Sequence, residues 1–201
     1  RARPSPEAPR HNDRRGMAMA YANLSNVYSN QNRMPEAIEY IHRALAINES
    51  LGDKGKIALN HTNIATLYYA QKNMAKALEH HFISLKIKEA IGDPEGYMIS
   101  LNNIALIYVI QKKPLDAIRY FKQSLEIGRE TGNKEDLMVT YNGMYQADSL
   151  LGKGKSMLEN FKLYIQYRDS LFNEDNTKKQ VRSEMNFEFE KIFHLPRPES
   201  N

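Results

Sequence analysis

The sequence predicts an all-α fold, a solenoid of antiparallel helix pairs with about four repeats and one further helix at the C-terminal end. Three observations predict it. A 40-residue unit recurs without a gap: Asn23-Leu24-Ser25, Asn63-Ile64-Ala65 and Asn103-Ile104-Ala105 stand 40 apart, as do Tyr28, Tyr68 and Tyr108, then Ala37, Ala77 and Ala117, then Leu45, Leu85 and Leu125. Apolar residues inside a unit fall at helical spacing, as in Tyr21, Leu24, Tyr28 and in Ile38, Ile41, Leu45. Turn residues interrupt that spacing at the same phase of every unit. A unit of this size cannot bury its own apolar face, so neighbours cover one another and the array acquires two different surfaces.

The elements follow in order. Residues 1–13 contain Pro4, Pro6 and Pro9 with scattered arginines and no apolar periodicity, which reads as a flexible leader or a cloning remnant. The array occupies 14–173, in units 14–53, 54–93, 94–133 and 134–173. Helices are expected near 14–30, 35–51, 54–70, 74–91, 94–111, 114–131, 134–151 and 154–172. Units are separated by Leu51-Gly52-Asp53, Ile91-Gly92-Asp93 and Thr131-Gly132-Asn133, where Gly adopts the left-handed conformation that ends a helix and Asp or Asn caps the next. Pro35, Pro94 and Pro114 sit at first helical positions, where a missing N–H costs nothing. The fourth unit is degraded, with Gly143 in the Asn column, Asp148 in the Tyr column and Met157 in the Ala column. A ninth helix over about 175–193 carries Val181, Met185, Phe189, Ile192 and Phe193 roughly on one side. It reads as a cap on the fourth unit, or as a connector stalk that forms a homodimer by pairing with a second copy as a coiled coil. Residues 194–201 read as a tail.

Composition bounds the function. At 201 residues and 41% hydrophobic content the chain makes one substantial domain. The net charge is +4, but Arg1, Arg3, Arg10, Arg14 and Arg15 against Glu7 and Asp13 place +3 of it in the first fifteen residues. The rest is nearly neutral, so no nucleic-acid partner is indicated. Cysteine is absent, which excludes a disulfide scaffold, a thiolate nucleophile and a cysteine-ligated metal. The compartment stays open between a reducing cytosol and a periplasm. No apolar run approaches the roughly 20 residues that cross a bilayer, so this fragment inserts in no membrane.

The columns resemble the tetratricopeptide repeat family. The large residue of its first helix matches Tyr21, His61, Leu101 and Tyr141; its Leu-small pair matches Leu24-Ser25, Ile64-Ala65 and Ile104-Ala105; its Tyr matches Tyr28, Tyr68 and Tyr108. In the second helix, Ile41/Ala44, His81/Ser84 and Phe121/Ser124 fit the large-then-small spacing. Two departures stand out. The usual period is about 34 where this chain has 40, and a Gly-Asp or Gly-Asn turn replaces the closing proline. Long units of this kind look like those of bacterial peptide-sensing regulators and of the sensor segments of membrane-bound histidine kinases. In the sensors a charged helix follows the array, as 174–193 does here.

The resemblance implies a right-handed superhelical solenoid whose inner groove is lined by Asn23, Asn26, Asn30, Thr62, Asn63, Thr66, Tyr69, Asn102, Asn103, Leu106, Val109, Asn142 and Gln146. Ala65, Ala77, Ala105, Ala117, Tyr28, Tyr68, Leu45, Leu85 and Leu125 are then core. An Asn side chain both donates and accepts, so Asn at one column of successive units can pair with the N–H and C=O of an extended peptide. The same row could instead tie adjacent helices together. Each pair contributes only about 0.5–1.5 kcal/mol, so affinity also needs an apolar anchor, for which Tyr69, Leu106, Val109 and Ile110 are candidates. Members that clamp a carboxylate use Lys and Arg where this chain has Ala22, Asn26, Thr62, Thr66, Asn102 and Leu106, so that function does not carry over.

Catalysis finds no foothold. His42, His61, His80 and His81 fall where the repeat expects packing or surface residues. Lys153-Gly154-Lys155-Ser156 has no preceding strand and reads as a turn, not a phosphate loop. The sequence therefore points to a non-enzymatic module, without cofactor or metal, that binds a protein or peptide as part of a bacterial signalling protein. The alternative is a structural adaptor or oligomerisation scaffold without a ligand switch.

Overall fold

A computed structural model describes residues 11–193. The tail and most of the expected leader lie outside the described residues, as do the side chains of His11, Asn12 and most residues after Asn173. Eight helices are described, with no strand among them: α1 (His11–Asn30), α2 (Met34–Leu51), α3 (Lys54–Ala70), α4 (Met74–Ile91), α5 (Pro94–Ile110), α6 (Pro114–Thr131), α7 (Lys134–Leu150) and α8 (Gly154–Phe193). Within each unit the two helices pack on one another, and each second helix then packs on the first helix of the next unit.

The turns form for the reasons the sequence suggests. Gly52, Gly92 and Gly132 end α2, α4 and α6 with φ of 65°, 68° and 70°, and the side chains of Asp53, Asp93 and Asn133 accept from the backbone N–H of Lys56, Gly96 and Asp136. The turns inside the first three units need the same left-handed conformation but lack glycine: Asn32, Lys72 and Lys112 adopt φ of 59°, 60° and 56°, whereas the fourth unit has Gly152 there, φ 67°. A Cβ is disfavoured there. Lys112→Gly should therefore raise stability by about 0.5 kcal/mol, net of the extra freedom of the unfolded glycine, read as a small upward shift of the thermal midpoint.

Between α1, α2 and α3 the core is Ala37, Ile41, Ala44, Leu45, Ile64 and Leu67; between α5, α6 and α7 it is Ala105, Val109, Ala117, Phe121 and Ala147. Burying each large side chain contributes roughly 1.5–3 kcal/mol. Tyr28, Tyr68, Leu85 and Leu125 are half-buried, not fully interior as expected. The tyrosines lie over the second helix of their own unit, Tyr28 on Tyr40, Tyr68 on His80 and Tyr108 on Tyr120, with ring centroids 5.1, 5.6 and 5.6 Å apart. Cations cover the first two from outside, Arg33 over Tyr28 and Lys76 over Tyr68.

Two expectations need correction. The ninth helix is not separate, because α8 runs unbroken through 173–176 to Phe193. The polar string Asn173-Glu174-Asp175-Asn176 contains neither Gly nor Pro to stop it, and Thr177 Oγ1 donates to the Asn173 carbonyl inside the helix. The apolar side chains read as its stripe lie outside the described residues. The fourth unit, in turn, is adapted more than degraded. A Cβ on Gly143 would stand 2.0 Å from Cζ of Phe121, so glycine is what admits the Phe121 ring. The buried Asp148 accepts from Ser156 Oγ and from Asn160 Nδ2 (2.8 Å), joining α7 to α8 where earlier units stack rings.

Candidate functional site

The first helices of the units, α1, α3, α5 and α7, do not meet one another alike. α5 packs directly on α7, with no comparable contact between α1 and α3 or between α3 and α5. Small residues and hydrogen bonds close the α5–α7 seam. Phe121 fills the space over Gly143, and Gly128 lies against Met98 and Leu137. Asn102, 2% exposed, donates to the Asp136 carbonyl (3.3 Å) and accepts from Thr140 Oγ1 (2.9 Å).

The other two seams stay open as clefts. The first, about 480 Å³ between α1 and α3, is lined by Arg15, Met19, Ala22, Asn23, Asn26, Asn48, Asp53, Lys56, Leu59, Asn60 and Asn63, with Gly16 and Ala18. The second, about 240 Å³ between α3 and α5, is lined by Thr66, Tyr69, His81, Asn103, Leu106 and Ile107. Seven of the expected groove residues are thus gathered at two adjoining openings: Asn23, Asn26 and Asn63 at the first, Thr66, Tyr69, Asn103 and Leu106 at the second.

The remaining ones lie elsewhere. Asn102 is the clearest correction: it is a buried tie between helices, because its column faces α7 where the seam is closed. Val109 is 8% exposed and belongs to the core. Thr62 is half-buried and occupied by the Ala58 carbonyl and by Ser84 Oγ (2.9 Å). Asn30 is exposed, and Asn142 and Gln146 are half-buried on α7; none of the three lines either cleft.

Sequence reasoning missed three features of these openings. Met19, Leu59 and Ile99 are 64%, 46% and 40% exposed; they form an apolar row one helical turn before the Asn row, of which Met19 and Leu59 line the first cleft and Ile99 lines neither. Their 40-residue recurrence, four positions ahead of each Asn, was the available signal. Arg15 and Lys56 make the first cleft less neutral than expected, although Asp53 also lines it and caps α3 with its side chain. Lastly, Asn60 and His81, both 3% exposed, each line a cleft while one side-chain nitrogen, Asn60 Nδ2 and His81 Nδ1, has no hydrogen-bond partner.

Histidines concentrate behind the clefts. His61 Nδ1 and His80 Nδ1 are 2.9 Å apart, a hydrogen-bond distance at which the tautomers decide which one donates, with the His80 ring also near His42 and Tyr68. Burial, then the neighbouring His80 and His42, pushes His61 down to about 4. Burial, then Lys88 and His80, does the same for His81. Both imidazoles are neutral at pH 7. The buried Lys88 ammonium donates to Ser100 Oγ (3.1 Å), and burial lowers its proton affinity against the opposing pull of Asp93 and Asp136. Among the described residues no three His, Asp or Glu side chains gather as a metal site. Amide, hydroxyl and apolar groups on rigid helices make a surface for recognising polypeptide.

Among curated proteins, none matches the chain in sequence. Solved structures show the same fold: aspartyl phosphate phosphatase F from Bacillus subtilis (23% identity, TM-score 0.75, 79% of this chain and 42% of the other), a signal transduction ATPase with numerous domains and a tetratricopeptide repeat sensor from Pyrococcus horikoshii (20%, 0.73, 83% and 26%), and the apo form of RapI (18%, 0.71, 79% and 44%). The chain spans less than half the length of each of these three. Among the described residues no helix is long and apolar enough to cross a membrane. The tetratricopeptide repeat model matches residues 16–90 and 56–130, more than half of the sequence, and with the all-helical array it establishes that the chain belongs to the tetratricopeptide repeat family, whose fold is a protein-interaction scaffold.

Proposed function

We propose that the chain is a non-enzymatic recognition module of a bacterial signalling protein, and that it holds an extended peptide segment across α3, in the clefts on either side. The observation that carries this reading is the contrast between neighbouring asparagines. Asn102 is buried and fully engaged, whereas Asn63 and Asn103 stand half-exposed at the mouths of the two clefts. The likeness in fold to a signal transduction ATPase with a tetratricopeptide repeat sensor supports a place in signalling.

Random dodecapeptides displayed on phage and selected on the full chain supply the probe. Asn63→Ala with Asn103→Ala should lower affinity for the selected peptide at least 30-fold, two lost pairs at about 1 kcal/mol each, and leave the melting temperature unchanged. Asn102→Ala should do the reverse, costing about 1–3 kcal/mol of stability by stranding its partners. If the double variant melts early and Asn102→Ala does not, the exposed asparagines are architectural and the proposal fails.

One observation favours a second reading, a scaffold acting through α8: Leu158, Phe161 and Phe172 on that helix are 51%, 38% and 65% exposed. In that case Phe161→Glu would abolish association with a second copy or an effector while groove variants left it intact.

A further inference from the structure

Buried polar atoms without a partner are rare in folded proteins, and each calls for an explanation. Among the described residues the two such side-chain atoms, Asn60 Nδ2 and His81 Nδ1, belong to one unit, and their residues line the two clefts flanking α3, Asn60 the first and His81 the second. The 40-residue register shows that neither is a requirement of the fold. In the Asn60 column the next units carry Ser100, which donates to the Gly96 carbonyl and receives Lys88, and Thr140, which bonds Asn102. In the His81 column the first and third units carry Ile41 and Phe121, both fully buried, and the fourth carries Phe161. Among the described residues, only the second unit places polar groups at these core columns and leaves them unpaired, and its first helix has an open cleft on each side.

The clefts also differ in what they admit. The second is about 240 Å³ and walled by Tyr69, Leu106 and Ile107, room for one aromatic side chain. The first is twice as large, and Arg15 and Lys56 line it together with Asn60, whose buried Nδ2 has no partner. The clefts are separated by the width of α3, roughly 10 Å, which extended chain crosses in about three residues.

We propose that Asn60 and His81 set the specificity of the groove: Asn60 Nδ2 donates to a carbonyl or carboxylate oxygen of the bound segment, and His81 Nδ1 accepts from the O–H or N–H of a tyrosine or tryptophan about three residues away, seated in the second cleft. This rests on the groove reading and deepens it. A neutral imidazole with its proton on Nε2 keeps the Nδ1 lone pair free for that role. A phenylalanine in the same cleft would leave the nitrogen as unpaired as it is in the empty chain, so discrimination between tyrosine and phenylalanine resides in this one atom.

The test uses the full chain and the best dodecapeptide selected from the displayed library, synthesised as selected and with its tyrosine or tryptophan replaced by phenylalanine. Calorimetry should show the original peptide binding at least tenfold tighter than the phenylalanine version. His81→Ile, a residue the register already accommodates at Ile41, should erase that ratio and raise the melting temperature by about 2–4 °C, because an unpaired buried nitrogen is gone. Asn60→Ala should weaken both peptides at least fivefold without lowering the melting temperature. The proposal is overturned if selected peptides lack tyrosine and tryptophan, if His81→Ile melts earlier than the parent, or if that variant keeps the tenfold ratio. Should these variants bind normally while Asn63→Ala with Asn103→Ala does not, the groove reading stands and this inference alone falls. Failure of the parent chain to enrich any peptide overturns both.

Discussion

Gly143→Asn should destabilise the chain by about 3 kcal/mol, although it restores the residue found at this column in three preceding units. An added Cβ would meet Cζ, Cε1 and Cε2 of Phe121 at 2.0, 2.5 and 2.7 Å, and the fully buried Phe121 ring has nowhere to retreat in a close-packed interior. Overpacking of this kind costs about 1–3 kcal/mol or more, well above the few tenths gained by replacing a helical glycine with Asn. Phe121→Ile alone should cost about 1–3 kcal/mol through the cavity it leaves. The two changes together should recover most of the loss, because the pair then repeats the Ile41 and Asn63 combination of the first two units. Urea unfolding of the four proteins measures this directly. A coupling of at least 1.5 kcal/mol toward rescue is expected; additive losses would mean that Phe121 and Gly143 are not matched to each other.

The second large effect is acid sensitivity centred on the second unit. His61 and His81 are each pushed down to about 4, and burial lowers His80 as well, opposed by Glu79 and reinforced by His42 and Lys76. A histidine that binds its proton less readily in the folded chain than in the unfolded one contributes stability that is complete above about pH 6.5 and is lost as pH falls toward 4. Each of the two deeply lowered imidazoles should account for about 2–3 kcal/mol over that window. His61→Leu with His80→Tyr, the residues found at Leu101 and at Tyr40 and Tyr120, should flatten the profile by about half. Denaturant midpoints at pH 7 and pH 4.5 provide the comparison; an unchanged slope would show that carboxylates, not these imidazoles, govern the acid limb.

The repeat period disclosed the architecture because each signal in it is local. Gly52, Gly92 and Gly132 stop helices, Asp53, Asp93 and Asn133 start them, and Ala37, Ala77 and Ala117 mark close contacts wherever they occur. The clefts were harder to see because they depend on pairs distant in sequence. Asn63 and Asn102 look alike in the chain, yet one faces an opening and the other a closed seam, and the difference is set by Phe121 against Gly143 and by Gly128 against Met98, residues 22 and 30 positions apart. The unpaired nitrogens of Asn60 and His81 were invisible for the same reason: a polar residue in a core column announces itself, but whether its partner is present is a three-dimensional fact. The run of α8 through 173–176 shows the limit of reading polarity as a break, since nothing in Asn173-Glu174-Asp175-Asn176 opposes a helix that packing has already begun.

The groove itself is tested most directly by following side-chain amide signals of the full chain in two-dimensional NMR while the selected dodecapeptide is added. The NH₂ resonances of Asn63 and Asn103 should move together with the Leu59 and Leu106 methyls, and those of Asn102 should stay in place. Movement confined to α8 or to the exposed faces of α2, α4 and α6, with Asn63 and Asn103 silent, would contradict the account.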